Sequence, residues 1–126
     1  MKRVEAGLKC KYSVQAVYEV LKQAEMIPKW SNFIKSLNKV DEDTYEVNSI
    51  YDTFKMKWVC DDAEKKCTMI SNLGQGDNEV YFSVRVEDGD TWLFQNVPIF
   101  FIEMKESHIK SSIKSTLKNL LKHIKA

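Results

Sequence analysis

SHIKSSIKSTLKNLLKHI, residues 107–124, is the stretch on which the fold turns. Ile109, Ile113, Leu117, Leu120 and Ile124 recur at steps of three or four, which places them on one face of a 3.6-residue helix. Ile99 and Ile102 carry compatible spacing back towards Pro98, so the helix is expected to begin between residues 97 and 107. Lys110, Lys114, Lys118 and Lys122 repeat every four residues along another side. Such a helix needs an apolar surface to cover, and the segments before it supply one.

From Leu37 to Val97 the apolar period is two. Phe54, Met56, Trp58 and Cys60 alternate with Lys55 and Lys57, and Val80, Phe82, Val84 and Val86 alternate with Tyr81, Ser83, Arg85 and Glu87. Turn residues punctuate the run at 41–43, 61–65, 74–78 and 88–90, a spacing that fits an antiparallel meander and not βαβ units. At the last turn, a three-residue loop Glu87-Asp88-Gly89 is predicted to pair Val84 with Trp92 and Phe82 with Phe94 on the apolar face. A hairpin centred between Ala63 and Glu64 sets Asp61 opposite Lys66 and Cys60 opposite Cys67. For a reducing compartment the cysteine pair is read as thiols, with a cross-strand disulfide as the alternative. The mixed pattern of Tyr45, Val47, Ser49 and Tyr51 against Glu46, Asn48, Ile50 and Asp52 leaves the inner face of that strand open.

Ahead of the strands, residues 2–12 read as a first strand ending at Ser13, a good helix N-cap, after which Val14, Val17, Tyr18 and Leu21 share a helical face. Pro28 breaks this helix and opens a second one, with Trp30, Phe33, Ile34 and Leu37 on its buried side. The expected architecture is α+β. A curved antiparallel sheet of six or seven strands wraps a long C-terminal helix, with a kinked helical pair after the first strand, in one domain spanning residues 1–126. At this length a chain buries roughly two-thirds of its unfolded surface, enough for a core. A curved sheet around one helix leaves space that side chains or a guest must fill, so a pocket of roughly 300 to 1,000 Å³ is expected between them.

The balance of 19 Lys plus Arg against 18 Asp plus Glu argues against a bulk nucleic-acid binder, and no apolar run reaches the length of a membrane span. A cytoplasmic protein, monomeric or weakly dimeric, is the expectation. His108 and His123 lie fifteen residues apart on the last helix, about 22 Å, so they cannot share a metal or nucleophile site. Three cysteines without CxxC spacing suggest no zinc, and no phosphate-binding glycine loop is present, so neither metal nor cofactor is expected. Residues 105–126 hold six lysines against Glu106, which reads as a solvated face beside the helix dipole, with transient docking on an anionic membrane as the functional alternative.

Two segments carry a resemblance. VYEVLKQAEMIPKWSNFIKSL, Val17–Leu37, in which a Val-Tyr-x-Val-Leu helix runs into a Pro-x-Trp turn, and SIKSTLKNLLKHI, Ser112–Ile124, are similar to the front and closing helices of the START-like helix-grip superfamily, also called SRPBCC. The small polyketide-cyclase/dehydrase and lipid-transport branch is the nearest in character. The resemblance implies a hydrophobic cavity between concave sheet and terminal helix, binding lipids, polyketides or aromatic compounds. It also implies two alternatives: a cyclase or dehydratase working through an acid or tyrosine in that cavity, and a co-chaperone-like protein-binding module.

For the binding reading, Met56, Trp58, Phe82, Trp92, Phe94, Phe101 and Ile109 are the candidate apolar lining, and Tyr51, Asn72 and Arg85 the candidates for orienting a polar end. For acid–base chemistry the strands offer Tyr45, Asn48, Ser49, Tyr51, Asp52, Asn72, Tyr81, Arg85 and Gln95, groups that equally serve as cross-strand hydrogen-bonding partners.

Overall fold

Ser13 starts the first helix as its sequence suggests: its side-chain oxygen accepts from the Ala16 amide, 3.1 Å, and α1 runs Val14–Leu21. A computed structural model of the chain describes residues 2–71, 79–99 and 105–124. Within it β1, Arg3–Cys10, precedes α1, and a single 3₁₀ turn at Ala24–Met26 leads into α2, Ile27–Trp30, with Pro28 in its first turn. The strands β2 (Ile34–Lys39), β3 (Thr44–Ser49), β4 (Thr53–Asp61), β5 (Lys66–Ser71), β6 (Glu79–Glu87) and β7 (Asp90–Pro98) follow, and α3, Glu106–Leu121, closes the fold. The sheet is antiparallel throughout, in the order β1-β7-β6-β5-β4-β3-β2.

The second helix is shorter than its apolar spacing predicts. Ser31 turns extended (ψ 140°), and its Oγ accepts from the amides of Phe33 and Ile34 at 3.3 and 3.2 Å, so the chain leaves the helix after Trp30. Phe33, Ile34 and Leu37 are therefore not on a helix. Ile34 pairs with Ser49 and Leu37 with Val47, because an available partner strand satisfies their backbone and buries Ile34 just as well.

The last hairpin also differs. Asp88 and Gly89 both have positive φ, 52° and 81°, and Glu87 pairs with Asp90: a two-residue turn whose twist matches that of the strands. The register is thereby one residue off the predicted one, with Val84 opposite Leu93 and Phe82 opposite Gln95. Leu93 and Gln95 point inward and are buried, while Trp92 and Phe94 lie on the outer face. There they find other partners. The two rings stack at 5.8 Å, and the Arg85 guanidinium sits 3.8 Å from the Phe94 centroid. Gly7 lies opposite Phe94, where a Cβ would stand 2.5 Å from the ring, so that position has room only for hydrogen.

On the inner face, side chains form rows across the strands: Tyr45, Met56 and Ser71; then Trp58, Met69 and Val80; then Cys60, Cys67, Phe82, Gln95 and Ala6. Val47 and Ser49 are buried and Glu46 and Asn48 exposed, which settles the inner face of β3. Trp30 meets Phe82 edge to face at 5.4 Å, and Trp58 meets the same ring at 5.6 Å. α3 packs on β1 and β7 and against α1 and α2, burying Ile109, Ile113, Thr116, Leu117 and Leu120. The Tyr18 hydroxyl donates to Asp62 Oδ1 at 2.6 Å, tying the β4–β5 turn to α1. Burial, then that carboxylate, hold the Tyr18 phenol well above its ordinary pKa.

Cys60 and Cys67 face each other in the expected register and are joined as a disulfide, in place of the thiols expected for a reducing compartment; the register brings both to the inner face at adjacent positions. The bond closes a loop with a sequence separation of 7. Loop-closure entropy for so short a loop is worth about 2.5 kcal/mol. Urea unfolding with and without a phosphine reductant should differ by about that amount, and coincident curves would show that the link does not constrain the unfolded chain. No helix among the described residues is long and apolar enough to cross a membrane, and no cluster of His, Cys, Asp and Glu among them could hold a metal.

Candidate functional site

The first half of α3 does not seal onto the sheet. Its inward positions Ile109, Ile113 and Thr116, flanked by His108 and Ser112, face Gln95 and Val97 of β7 across a pocket of about 200 Å³. Phe33, 39% exposed, forms the mouth. The wall that Phe33 belongs to is held by Asn32. Asn32 Nδ2 lies 3.4 Å from Ser115 Oγ and 3.3 Å from Thr116 Oγ1, and its Oδ1 accepts from Asn119 Nδ2 at 3.0 Å, so three residues of α3 clamp this loop. Lys2 pairs with Glu106 at 2.5 Å and ties the first turn of α3 to the start of β1; this ammonium keeps the Glu106 carboxyl below its ordinary pKa.

The pocket is apolar with a few hydroxyls and one amide. Gln95 is only 9% exposed, and its Oε1 is buried with no hydrogen-bond partner among the described residues. A buried amide oxygen left unpaired costs about 1–3 kcal/mol. Trp30 Nε1 and Trp58 Nε1 are buried without partners in the same way, but within the aromatic cluster around Phe82. That cluster also explains the pocket's size. Three rings occupy the middle of the concave face, leaving a space smaller than the roughly 300 Å³ at which drug-sized pockets begin.

The candidates from the sequence are divided among several places. Ile109 lines the pocket. Phe82 adjoins Gln95 in its cross-strand row, and Met56 and Trp58 lie further along the same inner face, all three buried. Trp92, Phe94 and Arg85 are on the outer face, where Arg85 also pairs with Glu5 at 3.0 Å and Glu87 at 3.7 Å. Tyr51 is 86% exposed at the tip of the β3–β4 turn, a turn held by Ser49 Oγ, which donates to Asp52 O and accepts from the amides of Tyr51 and Asp52. Asn72 and Phe101 lie outside the described residues.

Phe33, Val97, His108, Ser112, Ile113 and Thr116 line the pocket without a sequence signal that marks them as lining, and Gln95 has none beyond that of a polar strand residue. The Asp88-Gly89 dipeptide is the signal that would have found Gln95, since the two-residue turn it favours puts Leu93 and Gln95 inward. A wider hollow of about 560 Å³ lies between α1 and the end of α3, bordered by Glu19, Gln23, Lys29 and His123. Ala16, Val20 and Met26 also border it, so its lining mixes polar and apolar groups, whereas that of the β7–α3 pocket is mainly apolar.

No protein-family model matches the sequence, and no curated protein matches it. Solved structures do match in fold. The Aha1 dimer from Colwellia psychrerythraea is 12% identical with a TM-score of 0.68, the alignment covering 95% of this chain and 93% of that one. A START superfamily protein from Mycobacterium smegmatis is 18% identical with a TM-score of 0.63, covering 95% and 92%. The di-domain ARO/CYC StfQ from the steffimycin biosynthetic pathway is 9% identical with a TM-score of 0.69 over 96% of this chain and 44% of that one. The fold is START-like.

Proposed function

We propose that this START-like helix-grip domain binds and carries a small hydrophobic or amphipathic molecule in the pocket between β7 and α3. The observation that carries the reading is the pocket's lining: Val97, Ile109 and Ile113 offer apolar wall, and Phe33 stands exposed at the mouth, where a guest would cover it. Phe82, with Met56 and Trp58 behind it, gives the deeper apolar floor in this reading. A cyclase or dehydratase would need an acid or base at the reacting centre; the one such group in the described lining is His108, exposed on α3, while the inner wall offers an amide and two hydroxyls, which suits holding a molecule.

Within this proposal the carrier is a cytoplasmic monomer or weak dimer. In the cytoplasm the glutathione pool would keep Cys60 and Cys67 as thiols, so the disulfide would mark exposure to an oxidising environment. Lys110, Lys114 and Lys118 are exposed on α3 and serve as its solvated face, leaving the pocket to bind without them; docking on an anionic membrane is the competing role for that stripe.

The test is occupancy. Native mass spectrometry of the purified protein should show a co-purifying molecule of low mass or, after its removal, uptake of a neutral naphthylamine dye. Val97→Phe adds a ring to the pocket wall and should weaken dye binding at least about tenfold while leaving a cooperative melt. Dye binding unchanged by Val97→Phe would place the guest elsewhere, and a wild-type protein that takes up no apolar probe would remove the carrier reading.

A further inference from the structure

Ser49, Gln95 and Thr116 are the buried polar residues among those described. The Ser49 hydroxyl is committed to the β3–β4 turn. The other two border the same small pocket from facing elements, Gln95 on β7 and Thr116 on α3. The Gln95 amide oxygen is enclosed and out of a guest's reach, so the end of the amide that the pocket can meet is Nε2, which makes no hydrogen bond among the described residues. Thr116 Oγ1 accepts from Asn32 Nδ2 at 3.3 Å, which leaves the hydroxyl its own proton to donate. The two groups do not bond to each other, and no described residue supplies an acceptor to either donor.

Buried N–H and O–H donors on two walls of an apolar space are complementary to an acceptor placed between them, which would restore hydrogen bonds that burial has taken away. That acceptor is best neutral. The described lining holds no lysine or arginine, and His108 stands exposed at the rim, so an ionised head would lose its hydration without gaining a counter-charge. We infer that the pocket takes a compact apolar molecule carrying a neutral carbonyl, a ketone, aldehyde or ester, whose oxygen accepts from Gln95 Nε2 and Thr116 Oγ1. This rests on the carrier reading above and adds to it the polar group of the guest. It separates a carbonyl-bearing guest from a pure hydrocarbon and from a carboxylate of the same shape.

Two probes of one shape test it: 2-acetylnaphthalene and 2-isopropenylnaphthalene, in which a methylene group replaces the carbonyl oxygen, titrated at about pH 7 into the whole chain and followed by NMR. In the wild-type protein the Gln95 side-chain amide protons should move downfield with the ketone and not with the hydrocarbon. The affinity ratio of ketone to hydrocarbon should fall about tenfold in Gln95→Met, an unbranched apolar replacement of similar length, and about threefold or more in Thr116→Val. 2-Naphthoate, ionised at this pH, should bind at least about tenfold more weakly than the ketone. A ratio within about twofold of the wild-type value in both variants, a Gln95 amide signal that moves alike with both probes, or a preference for naphthoate would overturn the inference while leaving the carrier reading intact. If neither the ketone nor the hydrocarbon binds, the carrier reading itself falls and this one with it. The wild-type amide signal decides the matter should either variant fold poorly.

Discussion

Leu117→Asp should abolish stable folding or cost more than about 4 kcal/mol. Leu117 is fully buried on the face of α3 that covers the sheet. Its replacement removes about 2–3 kcal/mol of apolar burial and puts a carboxylate where no described residue stands ready to pair with it. The losses add, because the helix cannot rotate the charge outward without lifting Ile113 and Leu120 off the sheet as well. Lys110→Gln, on the exposed side of the same helix, should change stability by no more than about 0.5 kcal/mol. Thermal and urea melts of the two variants give the contrast directly. A Leu117→Asp protein that melts like wild type would mean that α3 is not the element that closes the core.

Phe82→Ala is expected to cost about 3–5 kcal/mol, the second large effect. The ring is almost wholly buried and touches both Trp30 of α2 and Trp58 of β4, so its loss leaves a cavity bounded by two rigid side chains that cannot collapse to fill it. Two of the chain's three tryptophans border that cavity, and the native fluorescence spectrum should shift with the mutation. Trp92, on the outer face, should be indifferent. A loss below about 1 kcal/mol with an unchanged spectrum would show that the aromatic cluster is not the centre of the core.

The elements that the sequence made legible are those whose signals are short-ranged. Ser13 caps α1, Pro28 opens α2, and the β4–β5 hairpin sets Asp61 against Lys66 and Cys60 against Cys67, all readable from neighbours within a few residues. The buried stripe of α3 was equally plain, since Ile109, Ile113, Leu117 and Leu120 obey one period and lie on one face. Ile109, on that stripe, borders the pocket between β7 and α3.

The remaining site residues depended on choices between alternatives that are nearly equal locally. Trp92-Leu93-Phe94-Gln95 is apolar enough on both faces to be read in either phase, and what decides is the backbone of Asp88 and Gly89, both left-handed, together with an outer face prepared for aromatic rings by Gly7 and Arg85. Phe33, Ile34 and Leu37 fit a helical face as well as a strand until β3 is present to pair with them. Chain order, element type and the need for a helix to cover a sheet thus follow from residue patterns, because propensity, capping and period act within a few residues. The phase of β7, the end of α2 and the unpaired oxygen of Gln95 beside a pocket follow from packing between segments far apart in the chain, because a side chain's face is settled by the partner that buries it.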